Sequence, residues 1–281
     1  MRTNLYIIAL LVLLTACHSK QVDYDEIASY QDHSVRELEV TADEETRVLL
    51  VFPHADDEVT CAGLTSYLKA RGATIHLLTL GHSAETKDND TRLDELDCSA
   101  ARLGVDKLEV AGLVINKWDD IMNDDITFWY DHKDSIRSII RNKISRYKPH
   151  ILITYDAETG GYGHPEHRIS AELTEEVFHE LQDSAFAPRS IYQSTLPDKL
   201  EHFYLNNSQA YDLSKELTGS KGLPDPDVSI DITDYWSVKN DMALCHKSQF
   251  NTLKKFYLVS EEGNLEAHAR AFSKEYYAVV E

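Results

Sequence analysis

Short apolar runs that alternate with helix-length amphipathic stretches constrain this chain most. Val48–Phe52 is continuously apolar and stops at Pro53. A run this short and uniform suits a strand covered on both faces, as in a parallel sheet. Val59–Arg71 then has helical spacing and ends at Gly72, and Thr74–Leu80 is rich in β-formers. Asp90–Leu103 is helical, with Gly104 placed to cap it. Lys107–Leu113 supplies a third strand, Asp131–Tyr147 a helix that ends before Pro149, and His150–Tyr155 a fourth strand. Such alternation predicts an α/β fold with a doubly wound, mostly parallel sheet. Right-handed crossovers place the strand-end loops on one edge, where ligands bind in open α/β sheets.

Two strand ends carry unusual chemistry. Phe52 is followed by His54, Asp56, Asp57 and Glu58 within a few residues. A His and a nearby carboxylate can bind zinc, and a further carboxylate can accept a proton from water. The plainer alternative is an acidic start to the next helix, favoured by the helix dipole. The fourth strand runs into Asp156, then Gly160, Gly161, Tyr162, Gly163, His164, Pro165, Glu166 and His167. The glycines permit turns other residues resist, and Pro165 suits the first turn of the helix that Ile169–Leu181 continues. Two His three residues apart across that turn can divide the work, one as ligand and one exchanging protons. A flanking carboxylate, Asp156 or Glu166, could orient one of them.

The beginning of the chain reads as an address. Arg2 and the mostly apolar Leu5–Leu14 fit a secretory signal, too short for a stable membrane span of roughly 20 residues. Leu14-Thr15-Ala16-Cys17 resembles the lipobox of bacterial lipoproteins, which implies cleavage before Cys17 and its lipidation, with a membrane-anchored, exported product. Residues 1–17 are therefore expected to be the signal, residues 18–45 a polar flexible tether, and residues 46–281 one domain. The net charge of -20 argues against a nucleic-acid partner, whose phosphates an acidic surface repels. Cys61, Cys98 and Cys245 form no CxxC pattern, and their odd number favours buried apolar thiols over a disulfide framework.

Farther on, Ser190–Thr195 and His202–Asn206 read as strands, Asn207–Pro226 as a long surface loop, Val228–Thr233 as a strand and Trp236–Lys255 as a helix. Trp118, Trp129, Tyr162 and Tyr211 could stack on a sugar face, although aromatics are more often core.

The paired motifs His54-Ala55-Asp56-Asp57-Glu58 and His164-Pro165-Glu166-His167 resemble those of the PIG-L/LmbE-like family of zinc-dependent N-acetylglucosaminyl deacetylases. The family pattern has Pro where Ala55 stands and Asp where Glu166 stands. The resemblance implies a Rossmann-like single domain with Zn2+ as cofactor, held by His54, Asp57 and His167, and Fe2+ as a possible replacement. It implies Asp56 as the base, His164 as a second catalytic group that stabilises or protonates as the amide collapses, and Tyr162 steadying the oxyanion; on chemical grounds a charged His164 would stabilise that oxyanion. It implies Arg92 and Asp119 as substrate contacts, and it makes Lys239 and His246-Lys247-Ser248-Gln249 a structural helix motif. The implied activity is removal of the N-acetyl group from an N-acetylated sugar or glycoconjugate. Cleavage of a larger acyl group, or glycan binding without catalysis, are the alternatives. An intact Asp56 disfavours mere binding.

Overall fold

The computed structural model describes residues 23–39, 42–82, 89–206, 208–257 and 269–281. Its sheet contains β1 (Arg47–Phe52), β2 (Thr74–Gly81), β3 (Lys107–Leu113), β4 (Ile151–Thr154), β5 (Ser190–Thr195), β6 (Val228–Asp231) and β7 (Lys274–Val280). The strand order is β3-β2-β1-β4-β5-β7-β6. β1 to β5 pair in parallel, and β7 runs antiparallel between β5 and β6. This is the mostly parallel, doubly wound sheet that the alternation predicts.

Side-chain alternation explains the two layers. Val48, Leu50 and Phe52 face one core with Ile75, Leu77, Ile151 and Ile153. Leu49 and Val51 face the other with Leu78, Leu80, Leu152 and Ile191. Successive strand residues point to opposite faces, so a strand buried on both sides must be apolar throughout, as β1 is. The order reverses between β1 and β4, whose ends carry the two motifs. That reversal is the switch point where α/β sheets open a crevice.

The later part of the chain departs from the expectation in several places. Asp198–Leu205 is a helix rather than a strand at His202–Asn206. Inside the expected loop, Gln209–Thr218 is helical, capped by Ser208 and closed by Gly219 at φ 76°. The expected helix Trp236–Lys255 is two helices, Trp236–Cys245 and Phe250–Tyr257. They part at His246, whose ring turns inward to Glu58. β7 has no place in the expected alternation.

The expected tether at residues 18–45 is corrected for its described part. Tyr24–Ala28 forms a helical turn capped by Asp23. Ile27, 1% exposed, packs on Leu200, Ala271 and Tyr276. The Gln31 side chain donates to the Arg270 and Ala271 carbonyls, and the Leu38 N–H donates to the Ser229 carbonyl at 2.7 Å. Isolated apolar residues that fill hollows leave no periodicity, which is why composition alone suggests a tether. The signal segment and Cys17 lie outside the described residues. No helix among the described residues is long and apolar enough to cross a membrane.

The thiol expectation is corrected as well. Cys98 on helix Asn89–Leu103 is bonded to Cys245 on helix Trp236–Cys245, with the Cα atoms 5.7 Å apart. Cys61 is free and buried. An odd count leaves one thiol over and does not prevent a pair.

Candidate active site at the sheet switch point

His54 and Asp57 follow β1, and His167 lies in the first turn of helix Pro165–Leu181 after β4. All three are nearly or fully buried. His54 Nδ1 lies 3.0 Å from His167 Nε2 and 3.4 Å from Asp57 Oδ2, and His167 Nε2 lies 3.2 Å from Asp57 Oδ1. Each nitrogen thus meets a different oxygen of Asp57, and the four atoms form a compact cluster of donor atoms. Bonds of 2.0–2.1 Å in a tetrahedron give edges of about 3.3 Å.

The outward hydrogen bonds decide what the inward atoms are. His54 Nε2 faces Glu166 Oε2 at 2.5 Å, and His167 Nδ1 faces the Gly160 carbonyl at 2.9 Å. Both outer partners only accept, so the outer nitrogens carry the protons and the inner ones present lone pairs. Asp57 is aimed by the His54 N–H at 2.8 Å and the Tyr155 hydroxyl at 3.1 Å. Two imidazole lone pairs and the Asp57 carboxylate therefore crowd together, an arrangement that suits a cation and repels itself without one. The field captures positive charge in any case. Burial opposes charging His54, yet Asp57 and Glu166 raise its pKa to about 10. Burial likewise opposes a charged Asp57, but His167 and His54 hold its carboxyl well below the usual range.

A second donor set, His54, His164 and His167, lies within 4.8 Å and is equally buried. We favour the set containing Asp57, because its donor atoms lie closer together and supply a negative charge. His164 Nδ1 already accepts the Glu166 N–H at 3.2 Å. Its ring stacks on His167 with centroids 4.6 Å apart. Burial, reinforced by His54 and His167, pushes the His164 pKa well below the ordinary value. The charged His164 expected on chemical grounds is therefore corrected to a neutral ring. With Nδ1 accepting, Nε2 carries the proton and is a neutral donor.

Asp56 stands beside this cluster at φ 116°, a backbone region that side chains resist. Burial raises its pKa to about 7, against the opposing pull of Arg92. Arg92 donates to the Ala55 carbonyl at 2.6 Å and to Asp56 Oδ1 at 3.3 Å. It thus holds the motif loop itself, and Glu95 pairs elsewhere, with Ser248. Tyr162 and Asp56 line one cavity with Asp57 and Tyr155. The Tyr162 ring centroid is 5.0 Å from that of His167.

Asp119 is exposed, three residues past Asn116, and is not among the residues lining that cavity. Trp129 and Tyr211 are core residues; the Trp129 indole donates to the Val114 carbonyl, and the Tyr211 hydroxyl donates to Glu201. Of the two carboxylates that could orient a His, Glu166 does so. Asp156 instead fastens its own loop by accepting from the amides of Glu158, Thr159 and Gly161.

Sequence reasoning does not supply the Gly160 carbonyl or Tyr155, although Tyr155 ends the expected fourth strand. Nor does it supply Glu58, which is fully buried with Oε1 between Ser99 Oγ at 2.5 Å and His246 Nε2 at 2.6 Å.

Residues 49–178 match the family described as PIG-L, GlcNAc-PI de-N-acetylase. The chain is 28% identical over 258 residues to a 1D-myo-inositol 2-acetamido-2-deoxy-alpha-D-glucopyranoside deacetylase of Thermobifida fusca, covering 79% of this chain and 90% of the relative. An enzyme of the same name from Acidothermus cellulolyticus is 26% identical over 268 residues, covering 83% and 88%. Among solved structures, a deacetylase of the teicoplanin biosynthesis pathway superposes with a TM-score of 0.58 at 15% identity, covering 84% and 98%. The hydratase GalB of Pseudomonas putida KT2440 superposes with a TM-score of 0.52 at 15% identity, covering 84% and 96%. One fold thus carries different reactions, and the site must identify the chemistry. The two motifs, the sheet that brings their ends together and these likenesses make the chain similar to the PIG-L/LmbE-like family across residues 49–178.

Proposed function

We propose that this chain is a metal-dependent hydrolase that removes the N-acetyl group from an amino sugar of the N-acetylglucosamine type. The observation that supports it most is the buried cluster of His54, His167 and the Asp57 carboxylate, with Asp56 and Tyr162 on the wall of the cavity that Asp57 lines. The curated relatives named above deacetylate an N-acetylated sugar conjugate, as their names state. His54, Asp57 and His167 would hold the ion, zinc being the ion that the donor set suits first. When bound, zinc supplies a Lewis acid for the acyl oxygen and lowers the pKa of water from ~15.7 to about 7.

The residues do the rest. Asp56, with a pKa near neutrality, accepts a proton from the attacking water. Arg92 keeps that carboxylate facing the cavity rather than touching substrate. The His164 Nε2–H donates to the developing oxyanion or to the departing nitrogen, and Tyr162 closes the same side.

Export and a membrane tether at Cys17 form part of the same proposal. The Cys98–Cys245 disulfide supports it, since disulfides persist in oxidising compartments.

One observation favours a second reading, cleavage of a larger acyl group. Away from Asp56 and Asp57 the cavity is lined by Leu196, Leu200, Tyr204, Leu223, Trp236 and Phe272. Such a lining suits an aliphatic or aromatic group better than a bare sugar.

The test is acid release from N-acyl glucosamine derivatives by the full chain, with and without added zinc, acetyl compared against octanoyl. Zinc-dependent acetate supports the first reading, and a preference for octanoyl supports the second. Asp56→Asn is expected to keep the metal and lose about 10²–10⁴-fold in rate. An unchanged rate in that variant removes Asp56 as the base.

A further inference from the structure

We infer that the Cys98–Cys245 disulfide positions the loop bearing Asp56, by fixing the two donors that clamp Glu58. The inference rests on the proposed role of Asp56 as base. Each cysteine is followed immediately by one of those donors, Ser99 and His246. The cystine therefore joins helices Asn89–Leu103 and Trp236–Cys245 at the point where both reach Glu58. Ser99 Oγ and His246 Nε2 meet the same carboxylate oxygen, at 2.5 and 2.6 Å. The other oxygen accepts the Asp56 N–H at 3.0 Å.

That amide belongs to the strained residue of the motif, at φ 116°. Backbone in such a region persists only where its surroundings over-determine it. Three attachments do so here. Glu58 holds the Asp56 amide, and Arg92 holds the Ala55 carbonyl and the Asp56 carboxylate. Arg92 and Ser99 project from one helix, and the cystine ties that helix to the one bearing His246. A second lateral tie lies beside it, where Ser248 donates to Glu95 through its N–H and hydroxyl. Ser99 and His246 are separated from Glu58 by 41 and 188 residues, so nothing local keeps these donors together.

Cys98 is exposed and Cys245 is buried, so a reductant reaches the bond from the Cys98 side. A dithiothreitol thiolate attacks the Cys98 sulfur and Cys245 leaves as thiolate. The second dithiothreitol thiol then closes on the first and releases Cys98. The cystine gains two electrons and two protons, and dithiothreitol loses them as it forms its cyclic disulfide.

The test compares the oxidised full chain, the same chain after dithiothreitol, and Cys98→Ser/Cys245→Ser. Amide exchange is followed by mass spectrometry in peptides covering residues 53–60 and, as reference, β1. The expected result is exchange faster by about tenfold or more at 53–60 with β1 unchanged. On the acylated glucosamine that the enzyme cleaves, kcat should fall by a similar factor while KM and bound zinc hold. Unchanged exchange at 53–60 overturns the inference. So does equal acceleration at 53–60 and β1, which would make the cystine a general staple. Should the double variant fail to fold, the reduced wild-type chain decides by the same comparison. The exchange readout does not depend on turnover. An active Asp56→Asn would therefore sink the base assignment while leaving the cystine's hold on the loop separately judged.

Discussion

Glu166→Gln tests the tautomer logic of the site with almost no change in shape. Glu166 is fully buried, with Oε2 at 2.5 Å from His54 Nε2 and Oε1 accepting the Asn116 N–H at 2.8 Å. A glutamine can satisfy only one of these partners in its native form. If its carbonyl keeps Asn116, its NH2 meets His54 Nε2 and moves the imidazole proton to Nδ1, where the lone pair for the ion is needed. If its carbonyl keeps His54, its NH2 meets the Asn116 N–H and leaves two buried donors facing each other. An unsatisfied buried donor costs about 1–3 kcal/mol. At ~1.4 kcal/mol per tenfold, that is roughly a 5- to 150-fold loss, in line with the 10- to 100-fold seen when partners behind metal ligands are removed. The assay is zinc competition against a chromogenic chelator at neutral pH, with circular dichroism to show that the fold persists. Zinc affinity within about twofold of wild type together with an unchanged Tm would refute the tautomer assignment, because it excludes both glutamine orientations.

Two further outcomes concern the scaffold. Gly163→Ala should destabilise by about 2–4 kcal/mol in urea, since φ is 99° and a Cβ would stand 2.1 Å from the Ala210 carbonyl oxygen. Gly112→Ala is the control, with φ 81° and nothing within 4 Å; a loss at Gly163 no larger than at Gly112 would show that the close approach does not matter. Glu109 bears on pH. Burial opposes its charge, but Lys143, Tyr147 and Arg146 bring its pKa below the usual 4.5. A depressed carboxylate stabilises above its unfolded pKa and loses that contribution as pH falls through the folded one. The Tm gap between wild type and Glu109→Gln should therefore be full at pH 7 and close below pH 4.5; a gap that is constant with pH contradicts the pairing.

The first four strands were legible because each is buried on both faces, which forces an apolar run with abrupt ends. Both motifs were legible because each lies within one strand-end loop. What lay beyond reach was assembled across the fold. Glu58 is in the motif, but its donors come from distant helices, and only packing brings them together. The neutral state of His164 follows from burial beside two other His rings, and spacing carries no burial. In Asp198–Leu205 and Gln209–Thr218, helix signals compete with polar, Gly- and Pro-containing flanks; the packing of Tyr211 against Leu205 and Leu223, which only the fold brings together, supplies the missing reason for order. Ile27 and Leu38 anchor the segment before β1 singly, where a periodic pattern has no room to appear.

The antiparallel β7 has a kinetic meaning. β6 is made earlier but pairs within the sheet through β7, apart from a bridge to Glu37. β1 to β5 can assemble as successive strand–helix–strand units, with mostly near neighbours. The β6 edge must wait, loosely held, until β7 threads between it and β5. Glu275 arrives with β7 and accepts the amides of Gly63 and Leu64 at the start of the helix that follows the first motif. We therefore expect folding in two stages, a parallel half first and a mature first-motif loop second. Pulse-labelled exchange that protects β6 as early as β1 would rule that order out.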